Sequence, residues 1–326
     1  MPKMPAAHRP LRAKLIFNAT SGRTEESPQQ LTNILTEMQS RDILPEVFIL
    51  RPDSKVEAVV GNAIREGIQL VVVAGGDGTI DAVAGAMIGN SATLGIIPTG
   101  TRNNVAFNLG IPDTLTDAVA LLREGRRQKI DVGYLRSGRA GHWFLEAAAL
   151  GLLSDLYPVA DDIQHGDLGQ IGNLLSTFVS STPSRLRATL DRRHRLDTNA
   201  SMVLISNMPY LGPHFRIAPD VSCNDNRLDV FVFSDMSKMN LISYAMQSTG
   251  GAVEDAHVKH YRVKRLKIQT DPQMPVLADG VLLDLGPITA LVHHRALAVM
   301  VGTTDATLAG QPATLPVADR GLVAHG

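Results

Sequence analysis

The sequence predicts an α/β domain, with a parallel sheet covered by helices on both faces, followed by a mainly antiparallel β domain. Up to about residue 134, short β-branched runs alternate with helical patterns, which is typical of a parallel sheet. Beyond that point β-branched runs follow one another with turn residues between them, as in a β-sandwich. The length of 326 residues also exceeds what one hydrophobic core usually serves, so we expect two domains.

The elements of the first half follow from their apolar patterns. Helices are predicted where caps and periodicity agree: one begins at Ser27 with Pro28 at its first position, and another begins at Ser54 and ends at Gly67. Two more helical patterns cover 80–88 and the region around 118–122. Strands are predicted at 14–17, 47–50, 70–74, 94–97 and 130–134.

The second half contains mostly strands. They are predicted at 202–205, 228–233, 263–268, 290–292 and 296–301, with helices near 168–179 and 239–248. The expected organisation is a flexible arm at 1–12, a nucleotide-binding α/β domain at 13–133, a β-rich substrate domain at 134–302 and a flexible tail at 303–326.

The composition narrows the class of protein. Apolar residues make up 44% of the chain and the formal net charge is −1, which indicates a folded protein with no bulk affinity for nucleic acid. A single cysteine, Cys223, excludes an internal disulfide framework. No apolar run reaches the ~18 residues of a membrane span. We therefore expect a cytoplasmic protein.

The most informative motif is the turn Gly75-Gly76-Asp77-Gly78-Thr79 between a predicted strand and a predicted helix. Such a turn exposes backbone N–H groups at the positive end of the helix dipole, where phosphate binds. We expect glycines there because a Cβ would hold the phosphate away and would disfavour positive φ angles. The Asp77 carboxylate would repel phosphates unless a metal ion lay between them. The alternative is an ordinary tight turn.

Two further loops accompany this turn: Asn18-Ala-Thr-Ser-Gly22 after the first predicted strand, and Pro98-Thr-Gly-Thr101 after the fourth. In a parallel sheet such loops leave at one edge, where ligands bind. Together with the β-rich second half and the segment Gly-Pro-His-Phe-Arg-Ile-Ala-Pro at 212–219, they resemble the bacterial type of the diacylglycerol kinase and sphingosine kinase-like soluble lipid kinases. The glycine-rich turn alone is shared with NAD kinases and phosphofructokinases.

The resemblance implies an ATP- and Mg²⁺-dependent kinase that phosphorylates the hydroxyl of a diacylglycerol-like or long-chain-base lipid. Asp77 would act through Mg²⁺ and its water shell. The nucleotide-binding residues that it implies are Asn18, Ser21, Gly75, Gly76, Asp77, Gly78, Thr79, Gly100, Thr101 and Asn103. The resemblance also allows a homodimer, and the sequence leaves the oligomeric state open.

A second, structural Mg²⁺ site of the bacterial members matches Ser222, Asp225 and Arg227. Only Asp225 would bind through its side chain, and the other two residues would offer backbone carbonyls, which are suitable ligands for a hard cation. The alternative for Asp225 is a turn-forming residue before Asn226.

The resemblance fails where the family commonly has its general base. Members commonly read Asp-Gly-Glu, whereas this chain reads Asp279-Gly280-Val281, and valine cannot accept a proton. A frequent Asn-Asp in the loop after the fourth strand is Asn103-Asn104 here. Asp279 is the first choice as a substitute base because it would share a strand face with position 281. Asp284 lies farther along the chain.

Glu146 is the other candidate base. It lies inside the apolar run at 144–150, where burial would raise its pKa. The simpler interpretation, which we prefer from the sequence, is a residue on the wet face of a half-buried strand.

Two basic stretches fit transient contact with an anionic membrane surface, or else they are solvated strand faces. They contain Arg185, Arg187, Arg192, Arg193 and Arg195, and Lys259, Arg262, Lys264, Arg265 and Lys267. Three hypotheses remain open: a lipid kinase, a binding protein in which Val281 has ended catalysis, and a soluble-substrate kinase such as an NAD kinase.

Overall fold

A computed structural model describes residues 10–21, 27–151, 183–211, 215–216, 218, 220–234 and 257–302. The first part of the chain alternates strands and helices, as predicted. Its elements are β1 (Leu11–Asn18), α1 (Ser27–Ser40), β2 (Ile43–Leu50), α2 (Val56–Arg65), β3 (Leu70–Gly75), α3 (Asp77–Met87), β4 (Thr93–Pro98), α4 (Asn104–Asn108) and α5 (Leu115–Glu124).

The described remainder is almost entirely strand. Its first members are β5 (Arg126–Ser137), β6 (Ala140–Phe144), β7 (Ala147–Gly151), β8 (Ser184–Leu190), β9 (His194–Ala200), β10 (Met202–Ser206), β11 (Tyr210–Leu211) and β12 (Phe215–Arg216). The others are β13 (Leu228–Phe233), β14 (Val258–Val263), β15 (Arg265–Asp271), β16 (Val276–Ala278), β17 (Val281–Leu283) and β18 (Ile288–Val301).

The first four strands form a parallel sheet in the order β2-β1-β3-β4. All six residues of β3 are buried, because helices cover both faces of the sheet. The apolar faces of α2 and α3 pack on one side, through Val60 and Ile80, and those of α1 and α5 pack on the other, through Ile34 and Leu122. The predicted parallel sheet with helices on both faces is confirmed.

The strand β18 joins the two halves of the fold. Its C-terminal end pairs in parallel with β4, through Ala298 opposite Thr93, and its whole length pairs antiparallel with β5. The sequence placed 296–301 in the second domain, yet this segment extends the sheet of the first. The expected boundary at 133/134 also falls inside β5. The two halves therefore share one continuous sheet, which continues through β15, β8 and β9.

A second sheet faces this antiparallel part. Its order is β14-β13-β10-β7-β16-β17, and the pairs are antiparallel. Buried side chains from both sheets, among them Leu186, Leu266, Val203 and Val230, form one core between them. The predicted antiparallel β domain is confirmed as two stacked sheets, with β17 at an edge.

Most predicted elements agree with the structure to within a few residues. The exceptions include the strand predicted at 263–268, which is divided between β14 and β15, and the strands predicted at 290–292 and 296–301, which form the single strand β18. Ser27 and Pro28 begin α1, and Gly67 ends α2 with φ +81°. Glu146, expected on a strand, lies instead in the turn between β6 and β7. The predicted helices near 168–179 and 239–248, most of the terminal arm and tail, and most of the 212–219 segment lie outside the described residues.

None of the helices in the described ranges combines the length and the hydrophobicity needed to span a membrane.

A substitution at Gly133 tests how tightly the paired strands β5 and β6 pack. A Cβ there would lie 2.1–2.4 Å from ring carbons of Phe144 on the paired strand β6. We expect Gly133→Ala to lower the free energy of unfolding by about 1–3 kcal/mol, because the ring must move in a filled core. Denaturant titration measures it.

Gly85→Ala is the matched control for this prediction. It lies within α3, and its added Cβ would meet nothing closer than Trp143 at 4.0 Å. Alanine favours a helix over glycine by about 1 kcal/mol, so this variant should be as stable as the parent or more so. Equal losses in the two variants would contradict the packing argument.

Candidate active site

Three loops meet at the carboxyl ends of β1, β3 and β4. The loop after β1 is tied to the glycine-rich turn because Asn18 Nδ2 donates to Thr79 Oγ1 at 2.8 Å. Asn18 Oδ1 accepts from the backbone and hydroxyl of Thr20. Ser21 Oγ lies 3.5 Å from the position that a Cβ on Gly76 would take. Asn18 and Ser21 thus lie beside the glycine-rich turn, and Asn18 fixes Thr79; their binding of a nucleotide stays a prediction.

The two glycine loops touch backbone to backbone. A Cβ on Gly100 would lie 2.5 Å from Gly76 Cα, and a Cβ on Gly76 would lie 3.2 Å from Gly100 Cα. A Cβ on Gly75 would meet the Thr79 side chain at 2.7 Å. The residues Gly75, Gly76, Gly78 and Gly100 all lack positive φ angles. The expectation of positive φ was therefore wrong here: close approach, and not left-handed backbone, requires glycine at 75, 76 and 100.

The second polar loop is held by two side chains predicted to bind nucleotide. Asn103 accepts from the Gly100 N–H and donates to the Gly100 carbonyl, each at 2.9 Å. Asp77 Oδ1 accepts from the Val105 N–H at 3.1 Å, which joins the start of α3 to α4. Both side chains hold the loop in its conformation, and Asn103 fixes the position of Gly100 at the site. The Thr101 residue is exposed at the rim of this loop.

Four carboxyl groups gather beside these loops: Asp77 and Asp81 on α3, Glu146 in the β6–β7 turn, and Asp279 after β16. Burial raises the pKa of Glu146 well above its usual range, and the negative charges of Asp279 and Asp77 raise it further, whereas Arg102 lowers it. Burial also raises the pKa of Asp81 well above its usual range, with added repulsion from Asp279, Glu146 and Asp77. The carboxyl groups therefore repel one another inside a poorly solvated site.

Asp279, the first choice as base from the sequence, is engaged with backbone. Its carboxylate accepts N–H bonds from Leu145, from Glu146 at 3.2 Å and from Ala147 at 2.9 Å. Burial raises its pKa to about 6, although these three N–H bonds lower it. Asp279 itself adopts a positive φ of 41°. These contacts hold the β6–β7 turn in place.

Two family models match the two halves of the chain. The diacylglycerol kinase catalytic domain matches residues 12–135, and the YegS C-terminal NAD kinase beta sandwich-like domain matches residues 163–301. The chain belongs to the diacylglycerol kinase-like family of bacterial lipid kinases. The suspected resemblance is thereby confirmed, and the chain is a kinase.

Individual relatives match this chain across most of their length. A diacylglycerol kinase of Bacillus subtilis is 27% identical over 280 residues, which cover 82% of this chain and 89% of the relative. A diacylglycerol kinase of Mycobacterium tuberculosis is 27% identical over 223 residues, covering 67% and 72%. A crystal structure of a diacylglycerol kinase from Bacillus anthracis superposes with a TM-score of 0.70 at 19% identity, over 89% of this chain and 97% of that one.

Side-chain oxygen atoms suited to a divalent cation lie on α3 and at the start of α4. Asp77 and Asp81 lie four residues apart on one face of α3. Two buried oxygens here, Asp81 Oδ1 and Asn104 Oδ1, have no hydrogen-bond partner in the described part of the chain. Among the same residues, no three acidic, His or Cys side chains form a metal site by themselves. This fits Mg²⁺, which binds one or two carboxylates and takes its other ligands from phosphates and water.

The second Mg²⁺ site implied by the resemblance does not fit this kinase. The Asp225 carboxylate pairs with the Arg262 guanidinium and accepts from the Arg227 N–H at 2.9 Å. The register of β13 and β14 places Arg262 opposite Asp229, and its Nε lies 3.6 Å from that carboxylate. Ser222 Oγ donates to Asn224. The Arg262 guanidinium therefore already pairs with the carboxylate that would have to bind the metal ion.

Sequence reasoning missed Arg262 as a partner of Asp225 because the pairing depends on the register of two distant strands. It also missed Asp131, which is fully buried on β5 and accepts from the N–H groups of Asn226 and Arg295 and bonds His294 Nδ1 at 2.8 Å. Asp131 thereby fixes the 222–227 loop to β5 and β18. The sequence did contain a signal for this role, because an aspartate inside an apolar strand pattern indicates a buried carboxylate that needs hydrogen-bond partners.

Gly100→Ala should weaken ATP binding by about tenfold or more, which corresponds to about 1.4 kcal/mol. The new Cβ would press on Gly76 Cα and separate the two loops, and a backbone atom cannot move aside as a flexible side chain would. Isothermal titration with a non-hydrolysable ATP analogue measures the effect. Gly61→Ala on α2, whose Cβ would meet only Arg65 at 3.4 Å, should bind like the parent. Equal affinity of all three proteins would contradict this account.

Arg262→Ala should lower the free energy of unfolding by about 1 kcal/mol, since the pair with Asp225 is only partly buried, with side chains 43% and 22% exposed. Arg185→Ala removes a more exposed pair with Asp197 and should change stability little. Thermal unfolding measures both variants. The opposite result would be a melting temperature of the parent that rises with MgCl₂, together with no such rise in Asp225→Ala. That result would show that a metal ion, and not Arg262, neutralises the charge of Asp225.

Proposed function

We propose that this chain is an ATP- and Mg²⁺-dependent kinase that phosphorylates the hydroxyl of a diacylglycerol-like or long-chain-base lipid. The single observation that carries the proposal is the backbone contact between the Gly76 and Gly100 loops beside the carboxyl cluster. Bare backbone on two sides suits a polyphosphate, and the carboxylates suit the metal ion that accompanies it.

The ATP phosphates would rest at the N-terminus of α3. Gly76 precedes this helix and Asp77 begins it, so the free N–H groups of the first turn lie at the site. Gly78 is exposed and lacks a Cβ, which lets phosphate oxygens reach the backbone. Asp77 and Asp81 would hold Mg²⁺, whose role is to neutralise charge on the transferred phosphoryl group.

The acceptor lipid would approach along the edge strand β17. Three large apolar side chains are exposed here, next to Asp279: Val281 at 43%, Leu282 at 54% and Leu285 at 58%. Exposed apolar groups that follow one another on an edge strand are unusual in a soluble protein and mark an interaction site. Acyl chains are the apolar partner that a lipid kinase must accommodate.

The adjoining sheet face is basic. Arg187 on β8, Arg195 on β9 and Lys267 on β15 line a groove of about 470 Å³, together with the acidic Asp197 and with Pro287, which lies two residues from Leu285. We propose that this face contacts the anionic cytoplasmic surface of the membrane, where each basic residue adds about 1 kcal/mol. Contact there would bring the apolar edge to the lipid.

A second candidate function is a nucleotide- and lipid-binding protein without turnover. The observation in its favour is Val281, which stands where the family commonly has its base. Removal of a general base lowers a rate by about 10²–10⁴-fold, so the two functions differ in measured turnover and not in binding.

Incubation with γ-labelled ATP and MgCl₂ tests the proposal across mixed micelles of diacylglycerol, sphingoid bases and polyprenols. We expect a labelled lipid product that requires Mg²⁺ and that Asp77→Asn reduces at least about a hundredfold, because the metal ligand is lost. The exposed Asp284→Asn is the control and should retain full activity.

ATP binding without any labelled lipid would favour the binding protein. A parallel incubation with NAD in place of the lipids tests the third hypothesis, and label found in NADP would favour an NAD kinase.

A further inference from the structure

The position that commonly carries the base cannot carry it in this kinase, and the fold shows why no neighbour on the same strand replaces it. Val281 lies opposite Ala278 in the β16–β17 pair, with its side chain largely exposed. Asp279 lies two residues earlier, but the β16–β17 turn directs its carboxylate toward the N–H groups of 145–147. These three N–H donors stabilise the charged form and use acceptor sites on both carboxylate oxygens, so Asp279 serves to hold the turn.

The Asp279 carboxylate fixes another carboxylate in the site. It binds the backbone N–H of Glu146 itself, together with those of the residues on either side. The Glu146 carbonyl in turn accepts from the N–H groups of Asn207 and Met208 at 2.8 and 3.2 Å. Because both sides of its peptide backbone are bonded, Glu146 is held on a rigid turn.

The Glu146 carboxyl group lies within electrostatic range of both glycine loops. It interacts with Asp77 beside the first loop, with Arg102 in the second and with Asp279 in the β16–β17 turn. Glu146 is only 8% exposed. The sequence-based preference for a wet strand face was therefore wrong. Burial and repulsion raise the pKa of its carboxyl, as expected for a general base that works near neutral pH.

Asp81 also has a pKa raised by burial, yet its position differs. It lies one helical turn behind Asp77 on α3, and its Oδ1 is sealed from solvent without a partner in the described part of the chain. An oxygen buried behind Asp77 suits a metal ligand or a protonated carboxyl better than a base that must reach an incoming hydroxyl.

We propose that Glu146 is the general base of this kinase and takes the role that Val281 has lost. The inference rests on the proposed lipid kinase function. The acceptor hydroxyl gives its proton to the Glu146 carboxylate while its oxygen forms a bond to the γ-phosphorus. The bond from that phosphorus to the β–γ bridging oxygen breaks, and ADP leaves with the electron pair. Glu146 then releases the proton to solvent.

Glu146→Gln tests the role, because glutamine keeps the shape of the side chain and cannot accept the proton. We expect kcat to fall by about 10²–10⁴-fold, with the affinity for an ATP analogue and the melting temperature unchanged. The kcat of the parent should rise with pH along an acidic limb whose midpoint lies above the ~4.3 of an ordinary glutamate. This limb should be absent from Glu146→Gln.

Restoring the family's base provides the rescue. Val281→Glu in the Glu146→Gln background should recover at least about tenfold in kcat, because a carboxylate returns to the position that commonly serves. Glu66→Gln, which changes an exposed carboxylate that follows α2, is the control and should leave both kcat and the acidic limb unchanged.

Two outcomes would overturn the assignment while leaving the kinase proposal intact: full kcat in Glu146→Gln, or loss of the acidic limb in Asp81→Asn but not in Glu146→Gln. A parent chain that binds ATP but labels no lipid would overturn the proposed function itself, and the base assignment with it. The activity of the parent therefore separates the two failures.

Discussion

The close approach of two backbone segments, at Gly76 and Gly100, is the constraint on which the site depends. It requires that β3 and β4 be adjacent and parallel, because only then do their carboxyl ends deliver both loops to one place. It also requires that no side chain intervene. The polar groups around this contact, Asn18, Asn103 and Asp77, make bonds that hold the loops together. These residues, which the sequence analysis predicted to bind nucleotide, therefore hold in place the backbone surface that a nucleotide would contact.

The shared sheet explains how the second half of the chain contributes to that surface. Because β18 pairs with both β4 and β5, the β-sandwich is attached to the parallel sheet along a strand and not through a linker. Asp131 reinforces the attachment by bonding the backbone of the 222–227 loop and of the bulge in β18. The turn that carries Glu146 and the residue Asp279 therefore lie at fixed positions relative to the glycine loops.

Sequence patterns predicted what is local and missed what depends on pairing between distant strands. The helix at Ser27, the turn at Gly67 and the three polar loops follow from caps, periodicity and glycine spacing, and the structure contains them. The position of Glu146 could not be predicted, because an apolar run looks the same whether it forms one strand or two strands with a turn. The Arg262–Asp225 pair depends on a register that no short pattern encodes.

The loss of glutamate at position 281 is easier to understand once the charges of the cluster are counted. Burial raises the pKa values of Asp81, Glu146 and Asp279, and the negative charge of Asp77 raises each of them further. A further carboxylate two residues from Asp279 would add negative charge beside this cluster. An exposed valine avoids that charge and extends the apolar edge formed with Leu282. With Glu146 as base, one substitution thus limits the negative charge and enlarges the surface suited to the lipid.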